Sequence, residues 1–224
     1  STTIMVVLII ASMAFLSNIR LKHVLAGLIL IIPAILLKVN LTDVQNSRIA
    51  SWIENISNPF GSGYQIKQSL IGLGRGGIMG AGLGASKQKY HFLPESHTDF
   101  VFSIIGEEFG FIGTTIILIL FLVILWRGIT IARQAKNPFG QFLAVGLTMS
   151  LVLYAFINAG VVTMLLPTTG LPMPFLSYGG SSLLFVGITV GILNNISKQT
   201  HLRSFEERIS DTNEKQRSLR QTLI

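Results

Sequence analysis

Residues 109–126, FGFIGTTIILILFLVILW, run for 18 positions without a charged side chain. The hydrocarbon core of a bilayer is about 30 Å thick, and a helix crosses it with roughly 20 mostly apolar residues. Four further apolar segments accompany this one, and the pattern predicts five spans at 3–19, 22–38, 99–126, 139–165 and 180–197. The first two are short or irregular, and Pro33 is expected to kink the second. Composition agrees. Half of the residues are hydrophobic and 12% are charged, where a soluble domain carries about 25% charged residues. With a mean hydropathy of +0.61, the expectation is an all-α integral membrane protein.

Charge placement gives the predicted topology. Arg20 and Lys22, then Arg127, Arg133 and Lys136, then the tail basic residues from Lys198 to Arg220 alternate to one side of the spans. The positive-inside rule makes that side cytoplasmic. Organisation follows: two transmembrane helices in 1–38, a large extracytoplasmic loop at 39–98, three transmembrane helices in 99–197 with an external loop at 166–179, and a cytoplasmic tail at 198–224. Long loops escape the charge rule, so the six basic residues at Lys38, Arg48, Lys67, Arg75, Lys87 and Lys89 do not oppose this placement. The net charge of +7 does not indicate nucleic acid, because no Lys or Arg lies between 137 and 197 and no basic stripe alternates with aromatics. The absence of cysteine excludes disulfides and thiolate metal sites. The opening STTIMVVLII is apolar without a basic region, unlike a signal peptide. Five spans with a cytoplasmic C-terminus place residue 1 outside, so further spans are expected upstream in a longer protein.

Two segments break the helical pattern. Residues 61–84 hold nine glycines in 24 positions, including a GxGxxG at Gly72, Gly74 and Gly77. A dinucleotide fingerprint needs a preceding strand and a following helix, and neither is expected here. Glycine permits unusual dihedrals and close approach, so this backbone is expected to pack tightly against the membrane surface or a ligand. Residues 166–182, LPTTGLPMPFLSYGGSS, hold three prolines and three glycines. They read as an ordered external loop or re-entrant segment, since irregular backbone at membrane depth survives only when buried in protein or lining a watery cavity.

Ionisable groups gather just before the 99–126 span, in HFLPESHTDF. With Thr98 or Ser96 as N-cap, Asp99 would sit in the first helical turn, where the helix dipole favours its ionised form. Two roles fit: a general base at the membrane face, or a first-turn acid that only compensates the dipole. Glu107 is expected nearer the face of Asp99 than Glu108 is. It is either functional, as intramembrane acids usually are, or simply outside a span that begins at Phe109. Lys87, Gln88 and Lys89 could donate to an anionic headgroup, or form a solvated basic loop. His91, Glu95, His97 and Asp99 match no zinc spacing. A hard cation between Asp99 and a substrate phosphate is conceivable. Asn158 reads as helix–helix glue, and Gly187 with Gly191 as a GxxxG packing face.

Three blocks in order, GSGYQIKQSLIGLGRGG, GLGASKQKYHFLPESHTDFVFSIIGEEFGFIG and LLPTTGLPMPFLSYGGSSLL, resemble the SEDS family of bacterial cell-wall proteins (FtsW, RodA and SpoVE) over roughly residues 48–200. The wording LPESHTDFVFSIIGEE is closer to the division-type FtsW branch. Two departures are visible: Met164 stands where a small residue is usual, and RIASWIENISNPFGSGYQ lacks the usual Asp-Pro-Trp. The resemblance implies the C-terminal half of a ten-span SEDS fold in the bacterial cytoplasmic membrane. It implies a peptidoglycan glycosyltransferase that polymerises lipid II at the outer membrane face during cell division, by an inverting reaction. Asp99 matches the family's external-loop aspartate and would be the catalytic base. Lys87, Gln88, Lys89, His97, Glu107, Ser177, Gly179 and Gly180 are the expected substrate-binding residues, with Mg or Mn as a conceivable cofactor at Asp99. Implied partners are lipid II, membrane lipids and a class B penicillin-binding transpeptidase. The alternatives are a lipid II flippase and a non-catalytic scaffold. A flippase would want polar groups near the midplane, and the last two spans contain no ionisable group except at their edges.

Overall fold

The computed structural model describes residues 2–16, 48–54, 64–89, 97–135 and 137–200. Among these residues every regular element is helical: α1 is Thr2–Leu16, α2 Tyr64–Gly76, α3 Val101–Gln134, α4 Pro138–Val162 and α5 Gly180–Thr200, with a short helical stretch at 48–54. Helices α3, α4 and α5 are long and apolar enough to cross a membrane. The chain is an all-α, multi-pass membrane protein. Helix α3 runs eight residues beyond the expected end at 126. Helix α1 has 15 described residues. The predicted span at 22–38 with Pro33, the His91 and Glu95 positions, and the tail from 201 lie outside the described residues.

Lipid chains are as apolar as leucine, so packing between spans depends on close fit more than on escape from water. The main core joins Phe100, Phe102 and Phe121 of the α3 segment to Ala155, Ala159 and Val162 of α4 and to Met173 of the following loop. Small α4 residues let the aromatic side chains in. Farther along, a Cβ at Gly128 would overlap the Thr148 side chain, so glycine makes the notch that Thr148 fills. Ala132, Ala144, Val145 and Leu193 bind the far ends of α3, α4 and α5 together. Helix α4 starts where its sequence indicates: Asn137 accepts a hydrogen bond from Phe139 N at 3.1 Å, and Pro138 occupies the first turn.

The GxxxG of α5 does not pack as expected. Val186, Thr189 and Leu193 form the buried stripe of this helix. Gly187 and Gly191 lie off that stripe, with open space where a Cβ would stand.

Part of the glycine-rich segment, Gly76 to Gly82, packs closely against the backbone of α3. Gly110 adopts φ 69° and ψ −163°, which breaks α3. The backbone groups freed there are taken up by the turn after α2. Phe111 N donates to Gly77 O at 2.9 Å and Ile112 N to Ile78 O at 3.2 Å, while Ala81 N and Gly82 N donate to the carbonyls of Glu107 and Glu108 at 2.8 and 3.1 Å. Such an interlock satisfies a broken helix without water. It also requires bare backbone: a Cβ at Gly76 would enter the Gly106 carbonyl, and one at Gly110 would enter Ile78 O and Gly80 N. Gly110→Ala combines that overlap with a left-handed φ that itself costs about 1–3 kcal/mol. We expect a clear drop in melting temperature in detergent micelles. Gly74→Ala, in open helical space, should be neutral or stabilise by about 0.5–1 kcal/mol.

Candidate active site at the entrance to the first long helix

Asp99 does not stand in the first turn of α3. The helix begins at Val101, its N-cap is Phe100 without a side-chain cap, and its first turn holds no acid. The expected capping by Thr98 is therefore corrected, and Ser96 lies outside the described residues. Tertiary contacts position the 97–100 turn instead. Three successive carbonyls are claimed by α4 and the loop after it. His97 O accepts from Tyr178 N at 2.8 Å, Thr98 O from the Ser177 hydroxyl at 2.5 Å, and Asp99 O from Asn158 Nδ2 at 2.7 Å. Asn158 Nδ2 also donates to Leu171 O at 2.8 Å, and Ser177 Oγ accepts from Met173 N at 2.7 Å.

This clamp is dry. Asn158, Met173, Ser177 and Phe100 are all buried. The Asp99 side chain is half-buried beside Gly170, whose absent Cβ would stand 3.5 Å from Asp99 Oδ2 at φ 67°. The loop 163–179 is thus ordered against protein. Met164 and Phe175 in it adopt left-handed φ of 64° and 67°, which non-glycine residues hold only when their surroundings fix them. The first of these explains why a small residue suits position 164, and Trp52 Nε1 donates to the Met164 carbonyl at 3.1 Å. A carboxylate held on a rigid frame at the entrance to a membrane helix can accept a proton from a headgroup while the lipid chain stays in the bilayer.

The remaining predicted residues divide. Lys87, Lys89 and His97 are exposed. Gln88, expected to face a headgroup beside the lysines, is instead 5% exposed and turned toward Gly72 of α2, where its Cγ would lie 3.1 Å from a Cβ. Ser177 is buried and its hydroxyl is used in the clamp, so it builds the frame. Gly179 and Gly180 lead into α5 and, with Tyr178, Leu183, Leu184, Gly187 and Ile188, line an open apolar cavity of about 640 Å³. Glu107, expected near the face of Asp99, is 0% exposed and points to α2 and residues 86–88. It accepts from Arg75 Nη1 at 2.6 Å, Ser86 Oγ at 2.5 Å, Lys87 N at 3.1 Å and Gln88 N at 3.2 Å. Among the described residues no group of three His, Cys, Asp or Glu could hold a metal ion. Arg75, Ser86 and the positioning part of Asn158 were not foreseen. For Asn158 the sequence signal is a lone asparagine in an apolar helix.

A model of the FtsW/RodA/SpoVE family, described as cell cycle protein, matches residues 1–202. The chain belongs to this family. It is 46% identical over 185 residues to a probable peptidoglycan glycosyltransferase FtsW of Geobacter metallireducens, covering 83% of this chain and 49% of that protein. Stage V sporulation protein E of Bacillus subtilis is 53% identical over 151 residues, covering 67% of this chain and 41% of that protein. A solved peptidoglycan synthase complex, described for its structural coordination of polymerization and crosslinking, matches with TM-score 0.67 and 25% identity. The match covers 88% of this chain and 55% of that one. Thermus thermophilus RodA shares the fold with TM-score 0.50 and 23% identity, over 84% of this chain and 47% of that one. The chain therefore spans about half the length of the curated relatives it matches.

Proposed function

We propose that the full-length protein is a peptidoglycan glycosyltransferase that polymerises lipid II into β-1,4 glycan strands during cell division, at the outer face of the bacterial cytoplasmic membrane. The observation that carries this reading is the clamp: three consecutive carbonyls fix Asp99 beside Gly170, in a chain 46% identical to a protein bearing that activity in its name. In the proposed reaction the 4-hydroxyl of the incoming disaccharide attacks the anomeric carbon of the growing chain. The new C–O bond forms as the bond to pyrophosphate breaks, the hydroxyl proton passes to the Asp99 carboxylate, and undecaprenyl pyrophosphate leaves. Displacement from the opposite face turns an α-linked donor into a β linkage. General-base help of this kind contributes about 10²–10⁴-fold.

The leaving pyrophosphate needs cationic stabilisation, and exposed Lys87 and Lys89 supply it in this reading. His97, Gly179 and Gly180 are assigned to the substrate path near Asp99, where Tyr178 N holds the His97 carbonyl. The apolar cavity along α5 suits a lipid chain. A hard cation that keeps its waters needs only one or two carboxylates plus phosphate. Mg or Mn carried on the substrate pyrophosphate near Asp99 would supply charge neutralisation, with the carboxylate left to accept the proton. Positive-inside placement of Arg127 and Arg133 near the end of α3 supports an outward Asp99 and a cytoplasmic C-terminus. A class B penicillin-binding transpeptidase is the proposed partner, consistent with the synthase complex of similar fold.

Full-length protein reconstituted with that partner and given lipid II should yield strands that a β-1,4-specific muramidase cuts. One undecaprenyl pyrophosphate should be released per bond. Transbilayer movement of lipid II without polymer would contradict the proposal and favour a flippase.

A further inference from the structure

The buried carboxylate of Glu107 is left unexplained by the reaction above. Burying an ion pair costs desolvation, and apolar replacements of such pairs are often neutral or stabilising. Stability alone is therefore a weak account of Glu107 and Arg75. What the pair does do is geometric. Arg75 Nη1 meets Glu107 Oε1 at 2.6 Å and Ala85 O at 3.4 Å. Ser86 Oγ donates to Glu107 Oε2 at 2.5 Å and accepts from Lys89 N at 3.3 Å. The amides of Lys87 and Gln88 donate to the two carboxylate oxygens at 3.1 and 3.2 Å.

Every residue from 85 to 89 is thus tied, directly or through Ser86 or Arg75, to one side chain of α3. The main chain of Glu107 holds the same segment, because its carbonyl accepts from Ala81 N at 2.8 Å. The outcome is an alternation: Ser86 and Gln88 face inward, and Lys87 and Lys89 face outward. Gly72 of α2 makes room for Gln88, since a Cβ there would press on Gln88 Cγ and Ser103 Oγ, both at 3.1 Å. Ser103 is one turn beyond Asp99 on the same segment. The arginine and glutamate cancel as a pair, so the segment's outward charge is that of its two lysines.

We propose that Glu107 is a positioning residue that orients Lys87 and Lys89 toward the pyrophosphate of the lipid-linked substrate, using Arg75 and Ser86 as struts; this rests on the glycosyltransferase reading above. The carboxylate itself does not touch the substrate. It sets the direction of the two cations that do, relative to the base at the start of the same helix.

A double-mutant cycle tests this in full-length protein with its partner in nanodiscs, with undecaprenyl pyrophosphate as the binding probe and lipid II as the substrate. Glu107→Gln should weaken probe binding about tenfold and Ser86→Ala about threefold, in the range expected for charge-assisted hydrogen bonds. The apparent KM for lipid II should rise with kcat little changed. In a Lys87→Ala/Lys89→Ala background both losses should shrink below about twofold, because the groups being oriented are gone. Equal losses in the two backgrounds, or a fall in kcat alone, would overturn the proposal and leave Glu107 a purely structural residue. Should Glu107→Gln not fold, Ser86→Ala carries the same cycle. An additive cycle in a protein that polymerises sinks this inference only. A wild type that neither binds the probe nor makes polymer sinks the glycosyltransferase reading with it.

Discussion

Asn158→Leu is expected to lower polymerisation by the full-length protein about a hundredfold. The substitution keeps the branched, four-heavy-atom shape of the side chain within α4 but removes both Nδ2 donors. The carbonyls of Asp99 and Leu171 are then left without that donor in a buried place, at a cost of about 1–3 kcal/mol each. The 97–100 turn and the loop after α4 would relax apart, and a misplacement of about 1 Å at a catalytic group is enough to cost about 10²-fold. Ser177→Ala cuts a second tie of the clamp, to Thr98 O and Met173 N, and should cost about tenfold. Both variants are measured as glycan formed from lipid II on a gel, beside the melting temperature in the same micelles. Wild-type rates from Asn158→Leu would show that the clamp does not set the position of Asp99.

The three long spans α3, α4 and α5 were legible because their signal is local. An 18-residue run without charge at 109–126 can do little except cross a membrane. The break at Gly110 was not legible as a break, since glycine within apolar sequence is also common where helices stay continuous. Its left-handed φ is compensated by carbonyls some thirty residues earlier in the chain. Among the glycines of 61–84, Gly76 and Gly80 make the close approach that such a segment suggests, and the backbone they meet is that of α3.

At the site, Asp99 could be singled out from its neighbours in sequence, while its geometry could not. The sequence suggests an N-cap at Thr98, yet the helix starts later and Thr98 spends its carbonyl on Ser177. Gln88 reads from the sequence as a headgroup donor beside the lysines, and Glu107 as an intramembrane acid of functional default. Each is buried because a partner far off in sequence lies there, Gly72 for one and Arg75 with Ser86 for the other. Asn158 was assigned to helix glue, and it does bind across elements. What it holds is the turn that carries the acid. No periodicity contains that information, because the clamp joins residues 59 positions apart.

The second large effect is expected from Asp99→Asn, which keeps the size of the side chain and its place beside Gly170 but removes the proton acceptor. The backbone clamp acts on the Asp99 carbonyl, which the substitution leaves in place, so the turn should keep its position. The loss should then fall on chemistry, about a thousandfold in kcat, with the KM for lipid II little changed. Asp99→Glu keeps a carboxylate but moves it by one methylene, and should retain a small part of the activity.

The decisive measurement is a time course of glycan synthesis by full-length protein with its transpeptidase partner, wild type beside Asp99→Asn, on lipid II in the same micelles with melting temperatures matched. The account predicts strands from the wild type and none above background from the variant. Strands forming at the wild-type rate from Asp99→Asn would contradict it.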